Sequence, residues 1–162
     1  MNEQQPILPA PELMVSQWFN TDQDLSLEQL RGKVVVMEAF QMLCPGCVAH
    51  GLPQAKSVYE SFPEEKVAVI GIHTVFEHHA AMTPVSLKAF LYEYRINFPV
   101  AVDEASESGQ PKTMSAYNMQ GTPSLMLIDK RGNLRAQFFG QVSDLKLGHD
   151  IAVLLMEPAK EK

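Results

Sequence analysis

Cys44 and Cys47 are the only two cysteines in the 162-residue chain, and they stand three residues apart in Cys44-Pro45-Gly46-Cys47. Two thiols at that spacing can close a small ring with each other, and no further cysteine exists to build a larger disulfide framework. A thiol attacks only as its thiolate, which the partial positive charge and free N–H groups of a helix N-terminus stabilise. The first cysteine of such a pair titrates anywhere from ~3.5 to ~7.5, against ~8.5 for a free thiol. The chemistry on offer is thiol-disulfide exchange, with Cys44 as the attacking sulfur and Cys47 one turn further in as the resolving one. Two other readings stay open, half of a zinc site and two incidental cysteines.

The residues on either side say what must hold the pair. Val34 to Met37 and Ala39 form an apolar run around one acid, Glu38. A run this short, β-branched at three positions, predicts a strand buried on both faces. Val48 to Tyr59 carry helical signals, with Cys44 at the cap and Pro45 at the first helical position, where a missing N–H costs nothing. The dithiol is therefore expected to open a helix directly off the end of a central strand, and Pro53 to bend that helix in mid-course.

The stretch VVVMEAFQMLCPGC resembles the redox strand and loop of the thioredoxin superfamily, nearest the TlpA/ResA-type thiol-disulfide oxidoreductases and redoxins (AhpC/TSA-like). The lead-in LSLEQLRGK carries the likeness back to about Ala10, and it covers nearly the whole chain. Glu38 matches the acidic or polar residue found six positions before the first cysteine in that family. Leu43 stands where the family has Trp, and Ala39-Phe40 where it has a Phe-Trp pair. The resemblance implies a thioredoxin-like α/β fold, a central mixed sheet flanked by helices, with an N-terminal extension. An insertion separates the βαβ half from the C-terminal hairpin and helix. It also implies a mixed-disulfide mechanism, partner docking around Leu43, Pro45 and Gly46, and no cofactor.

Gly121-Thr122-Pro123-Ser124 precedes an apolar run. Read alone, Pro123 is a trans proline that begins a strand, since cis X-Pro bonds are only ~5% of such bonds in folded proteins. The resemblance implies a cis bond facing the dithiol, with the backbone of Thr122 offered to a bound partner. Glu38 also has two readings. A carboxyl buried without a partner keeps its proton and can exchange it with Cys47; a carboxylate at a strand end can instead reach water or a lysine.

His50 lies three residues after Cys47, and His73, His78 and His79 follow the second buried strand. Cysteine and histidine are ligand types for zinc or copper, but adjacent His78 and His79 cannot easily face one ion, so no metal site is expected. Val48 after Cys47 excludes a C-x-x-C-H haem attachment. A peroxiredoxin-like peroxidase is the other competing activity. It would need Thr in a Pro-x-x-x-Thr-x-x-Cys loop, and Gln41 stands in that place.

Along the chain, residues 1–11 read as an extended arm and Leu13–Asn20 as a short edge strand. Ser26-Leu-Glu-Gln29 matches a capping box for a short helix closed by Gly32. Lys66–His73 reads as a second buried strand parallel to the first. Thr83-Pro84 starts a helix to about Arg95, Phe98–Asp103 is a short strand and Pro111–Tyr117 a short helix. Ser124–Ile128 and Leu134–Gly140 form a hairpin, and a helix capped by Ser143 runs to about Met156. One domain over residues 1–162 is expected.

Hydrophobic residues make up 46% and charged residues 20%, ordinary for a globular protein. The formal charge of −6 argues against nucleic acid or an anionic membrane as partner. No apolar run approaches the ~18 residues of a spanning helix. Met1–Leu13 shows neither a basic n-region nor an apolar h-region, so a cytoplasmic protein is expected, or a periplasmic one if a leader has been removed. The expected partners are disulfides and thiols of proteins or small molecules, with an upstream reductase or oxidant.

Overall fold

The computed structural model describes residues 6–159. Seven strands form one sheet in the order β1-β7-β6-β3-β4-β5-β2. They are β1 Leu8–Pro9, β2 Val15–Phe19, β3 Val34–Phe40, β4 Val67–His73, β5 Val100–Asp103, β6 Ser124–Ile128 and β7 Asn133–Phe139. The α-helices are α1 Leu52–Ser61, α2 Pro84–Glu93, α3 Lys112–Ala116 and α4 Asp144–Met156. The expected mixed sheet is present. β3 pairs parallel with β4 and antiparallel with β6, and β4 pairs parallel with β5.

Strand β3 is central and all seven of its residues are buried, which is why its sequence lacks the alternation of a half-exposed strand. Its two faces lie in separate cores. Val34, Val36 and Phe40 join Leu52, Ala55 and Val58 of α1, Leu87 and Leu91 of α2, and Leu147, Ile151 and Leu154 of α4. Val35, Met37 and Ala39 join Leu27, Leu30, Met114 and Tyr117 on the other face. Glu38 shares the parity of Val36 and Phe40, so its side chain is directed to the face covered by α1 and α4.

The local signals were sound at most helix ends. Thr83 Oγ1 accepts from Ser86 N–H, and Ser143 Oγ from Lys146 N–H. In the hairpin Asp129 Oδ1 accepts from the N–H groups of Arg131 and Asn133, with Gly132 at φ +85°. One reading here needs correction. The Ser26 capping box makes both reciprocal bonds with Gln29, but residues 27–32 form turns rather than a helix. Within the extended arm, Leu8–Pro9 adds to the free edge of β7; residues 1–5 of the arm lie outside the described residues.

Candidate active site

Helical backbone begins at Pro45. The first intrahelical bond runs from Val48 N–H to Cys44 O at 3.1 Å, and Cys47 N–H donates to Cys44 Sγ at 3.2 Å. Cys44 is thus the cap and Pro45 the first helical residue, as expected. The two sulfurs are joined in a disulfide, with Cα atoms 5.2 Å apart. Cys47 is fully buried while Cys44 is partly exposed. A partner can approach one sulfur and not the other.

Instead of a simple bend at Pro53, residues Cys47–Gly51 form a π turn, in which Leu52 N–H donates to Cys47 O. Pro53 has no N–H to give, and its ring would crowd the carbonyl of Ala49 in a regular α-helix. Widening the preceding turn relieves that conflict.

The Thr122–Pro123 bond is cis. Cys44 Sγ lies 3.5 Å from Thr122 O. A Cβ on Gly46 would lie 3.3 Å from Pro123 Cδ, so proline and helix turn are in close contact there. Leu43, beside Cys44, is 57% exposed, and Pro45 is exposed as well.

Glu38 is 1% exposed, and its Oε1 has no hydrogen-bond partner among the described residues. Burial pushes its pKa well above the usual carboxyl range. The carboxyl lies beneath the turn that begins at Cys47, since a Cβ on Gly51 would overlap Glu38 Oε1. A cleft of about 460 Å³ between α1 and the start of α4 reaches both Glu38 and Gly51 without being lined by either cysteine.

The histidines do not come together. His73 is buried, and its Nε2 accepts from Met42 N–H at 3.3 Å, which leaves the ring proton on Nδ1. Burial lowers its pKa to about 4. His50, His78 and His79 are exposed. Among the described residues no group of three or more His, Cys, Asp or Glu side chains is placed to hold a metal ion. Gln41 is also buried, its Oε1 accepting from Phe76 N–H at 3.2 Å. His73 and Gln41 therefore fasten the turn before Cys44 to the end of β4 and the loop beyond it. Sequence reasoning did not find these roles, because each depends on contacts far along the chain.

The AhpC/TSA family model matches residues 8–137. The crystal structure of a thioredoxin-like superfamily protein superposes with a TM-score of 0.94 at 65% identity, covering 94% of this chain and 99% of that one. A thiol-disulfide isomerase from Corynebacterium glutamicum gives 0.89 at 52% identity, covering 93% and 97%. The thiol-disulfide oxidoreductase ResA of Bacillus thuringiensis is 29% identical over 117 residues, 72% of this chain and 61% of its own length. Of the curated relatives that it matches, the chain spans 21% of DipZ, 20% of NHL repeat-containing protein 2 and 61% of ResA.

Proposed function

The chain belongs to the AhpC/TSA family, in its thioredoxin-like, ResA-type branch, and from that premise we propose a thiol-disulfide oxidoreductase working through Cys44 and Cys47 within one thioredoxin-like domain. The observation that carries the reading is the asymmetry of the pair: a partly exposed sulfur capping a helix, bonded to a buried sulfur one turn inside it. A peroxidase or metal module is not favoured. Gln41, in the place of the peroxidase threonine, is buried and bonded to Phe76 N–H, and the histidines are dispersed.

In the reducing direction, Cys44 thiolate attacks one sulfur of a partner disulfide. A Cys44–partner bond forms, the partner disulfide breaks, and the released thiolate takes a proton from water. Glu38, having first given its own proton to solvent through the cleft that it lines, takes the proton of Cys47, which then attacks Cys44 Sγ. The Cys44–Cys47 bond forms and the second partner sulfur leaves as a thiolate that takes up the proton held by Glu38 or one from water, so the protein is oxidised by two electrons as the partner is reduced. A carboxyl whose pKa is lifted towards that of a thiol can take and return such a proton. Thr122 offers backbone hydrogen bonds to an extended partner segment, in the manner of an added strand. Leu43, Pro45, Gly46 and Pro123 form the surface around it.

The substrates are protein or small-molecule disulfides and thiols, and an upstream reductase or oxidant resets the pair. Among the described residues no helix is long and apolar enough to cross a membrane. In the cytoplasm the pair would be kept reduced and donate electrons; in a periplasm it would serve whichever oxidant or reductase docks there. Equilibration with a glutathione buffer tests the function and its direction together. A potential near about −270 mV supports a reductant, and one above about −180 mV an oxidant or isomerase. Failure of the pair to exchange with glutathione at all would refute the proposal.

A further inference from the structure

We propose that Gly51 is a positioning residue for the Glu38 carboxyl: its missing Cβ is the slot in which Oε1 sits beneath the Cys47 turn. The inference rests on the reading of Glu38 as the proton acceptor for Cys47, and adds the residue that places it.

The backbone does not call for glycine here. Gly51 has φ −62° and ψ −53°, right-handed values open to every residue. Glycine is also a poor helix residue compared with alanine, because it has more backbone freedom to lose. What excludes alanine is space. A Cβ at this position would overlap Glu38 Oε1 and lie 3.0 Å from Pro123 Cβ. The first of those atoms is the buried oxygen with no partner. Gly51 also closes the π turn that starts at Cys47, so turn and slot are one local device. It opens the turn's inner surface to a carboxyl from β3, and leaves Glu38 bordering the cleft that Gly51 also lines.

A side chain at residue 51 must expel the carboxyl from its slot or push the helix off the sheet. Either way Glu38 is no longer held against residue 51 of the turn that begins at Cys47. The effect should then require Glu38, which separates positioning from a general disturbance of the helix.

The experiment compares Gly51→Ala in the natural background and in Glu38→Ala. Three readouts are taken: the Glu38 carboxyl titration by ¹³C NMR, the rate of mixed-disulfide resolution, and the melting temperature. With Glu38 present, Gly51→Ala should move the Glu38 titration down towards the ordinary carboxyl range. It should slow resolution at neutral pH by about tenfold, as Cys47 then has to lose its proton to solvent. In Glu38→Ala, where the slot is empty and only the 3.0 Å approach to Pro123 Cβ remains, adding Gly51→Ala should slow nothing further and should lower the melting temperature by less than it does in the natural background. An unchanged Glu38 titration, equal slowing in both backgrounds, or an equal loss of melting temperature in both backgrounds would overturn the proposal. If Glu38→Ala alone leaves resolution unchanged, the proton role of Glu38 fails, while the titration still decides the role of Gly51. If Gly51→Ala does not fold, the double variant decides: folded, it places the conflict at Glu38; unfolded, it overturns the inference.

Discussion

The N–H of Met42 donates to Nε2 of His73 at 3.3 Å, so the end of β4 holds the turn that delivers Cys44 to its helix. Both residues are buried, and the imidazole must be neutral to accept. Replacing His73 with Leu leaves the Met42 N–H unpaired and should cost about 2 kcal/mol, within the range for a buried unsatisfied donor. Urea unfolding measures it, and a change near zero would mean that the turn finds another acceptor.

The same imidazole predicts a pH dependence. Its folded pKa of about 4 lies below the ordinary 6.5, so the unfolded chain binds the proton first. Stability is then fully present above about pH 6.5 and falls as pH drops towards 4. The total loss is on the order of 3 kcal/mol, at 1.36 kcal/mol per unit. His73→Leu should flatten this segment of the stability curve. A wild-type curve that stays level between pH 6.5 and 4 would contradict the assignment.

Glu38 works in the opposite sense. Its folded pKa is raised, so the native protein keeps a proton that the unfolded chain gives up. This contribution is complete below the ordinary carboxyl range and is lost as pH rises towards the folded value. In the oxidised protein, Glu38→Gln should therefore gain stability over wild type steadily as the solution is made more alkaline. In exchange assays the same variant should resolve mixed disulfides more slowly near neutrality, and less so in alkali, where hydroxide deprotonates Cys47 directly. A rate deficit that does not change with pH would make Glu38 a structural group.

The unequal exposure of the sulfurs assigns their roles. Cys47→Ser should accumulate covalent complexes with partner proteins through Cys44, while Cys44→Ser should trap none, since Cys47 is fully buried. Non-reducing electrophoresis reads the difference directly. Equal trapping by the two variants would reverse or erase the assignment.

What could be read from the sequence follows the range of the forces involved. The buried strand, the Cys44 cap, the Thr83 and Ser143 caps and the Asp129 turn are set by neighbours within a few residues, and each stands where its local signal puts it. Ser26 shows the limit of such signals: the box bonds to Gln29 form, yet the segment turns away before a helix can propagate. Strand β1 was invisible because two residues become a strand only through pairing with Asn133 and Leu134. His73 looked like a candidate ligand because its spacing to His78 and His79 is local, whereas its true neighbour, Met42, is 31 residues away. Gly51 gave no signal, since a helical glycine is informative only once the carboxyl opposite it is known.

Leu43 supplies the last prediction. It is 57% exposed, directly before Cys44, while the chain on either side of it is held down: Met42 by His73, and Cys44 by the disulfide and the helix. An apolar side chain left in water beside a reactive sulfur gains most when a partner covers it. Covering the rest of a leucine is worth about 1.5 kcal/mol, or roughly tenfold in affinity. Leu43→Ser should therefore raise KM for protein disulfides by about that factor. A small disulfide touches only the sulfurs and should react as before. The equilibrium with glutathione should also hold, because no group that bonds to either sulfur has changed. If the potential, or the rate with a small disulfide, moves along with KM, then Leu43 acts on the thiols themselves and the docking role fails.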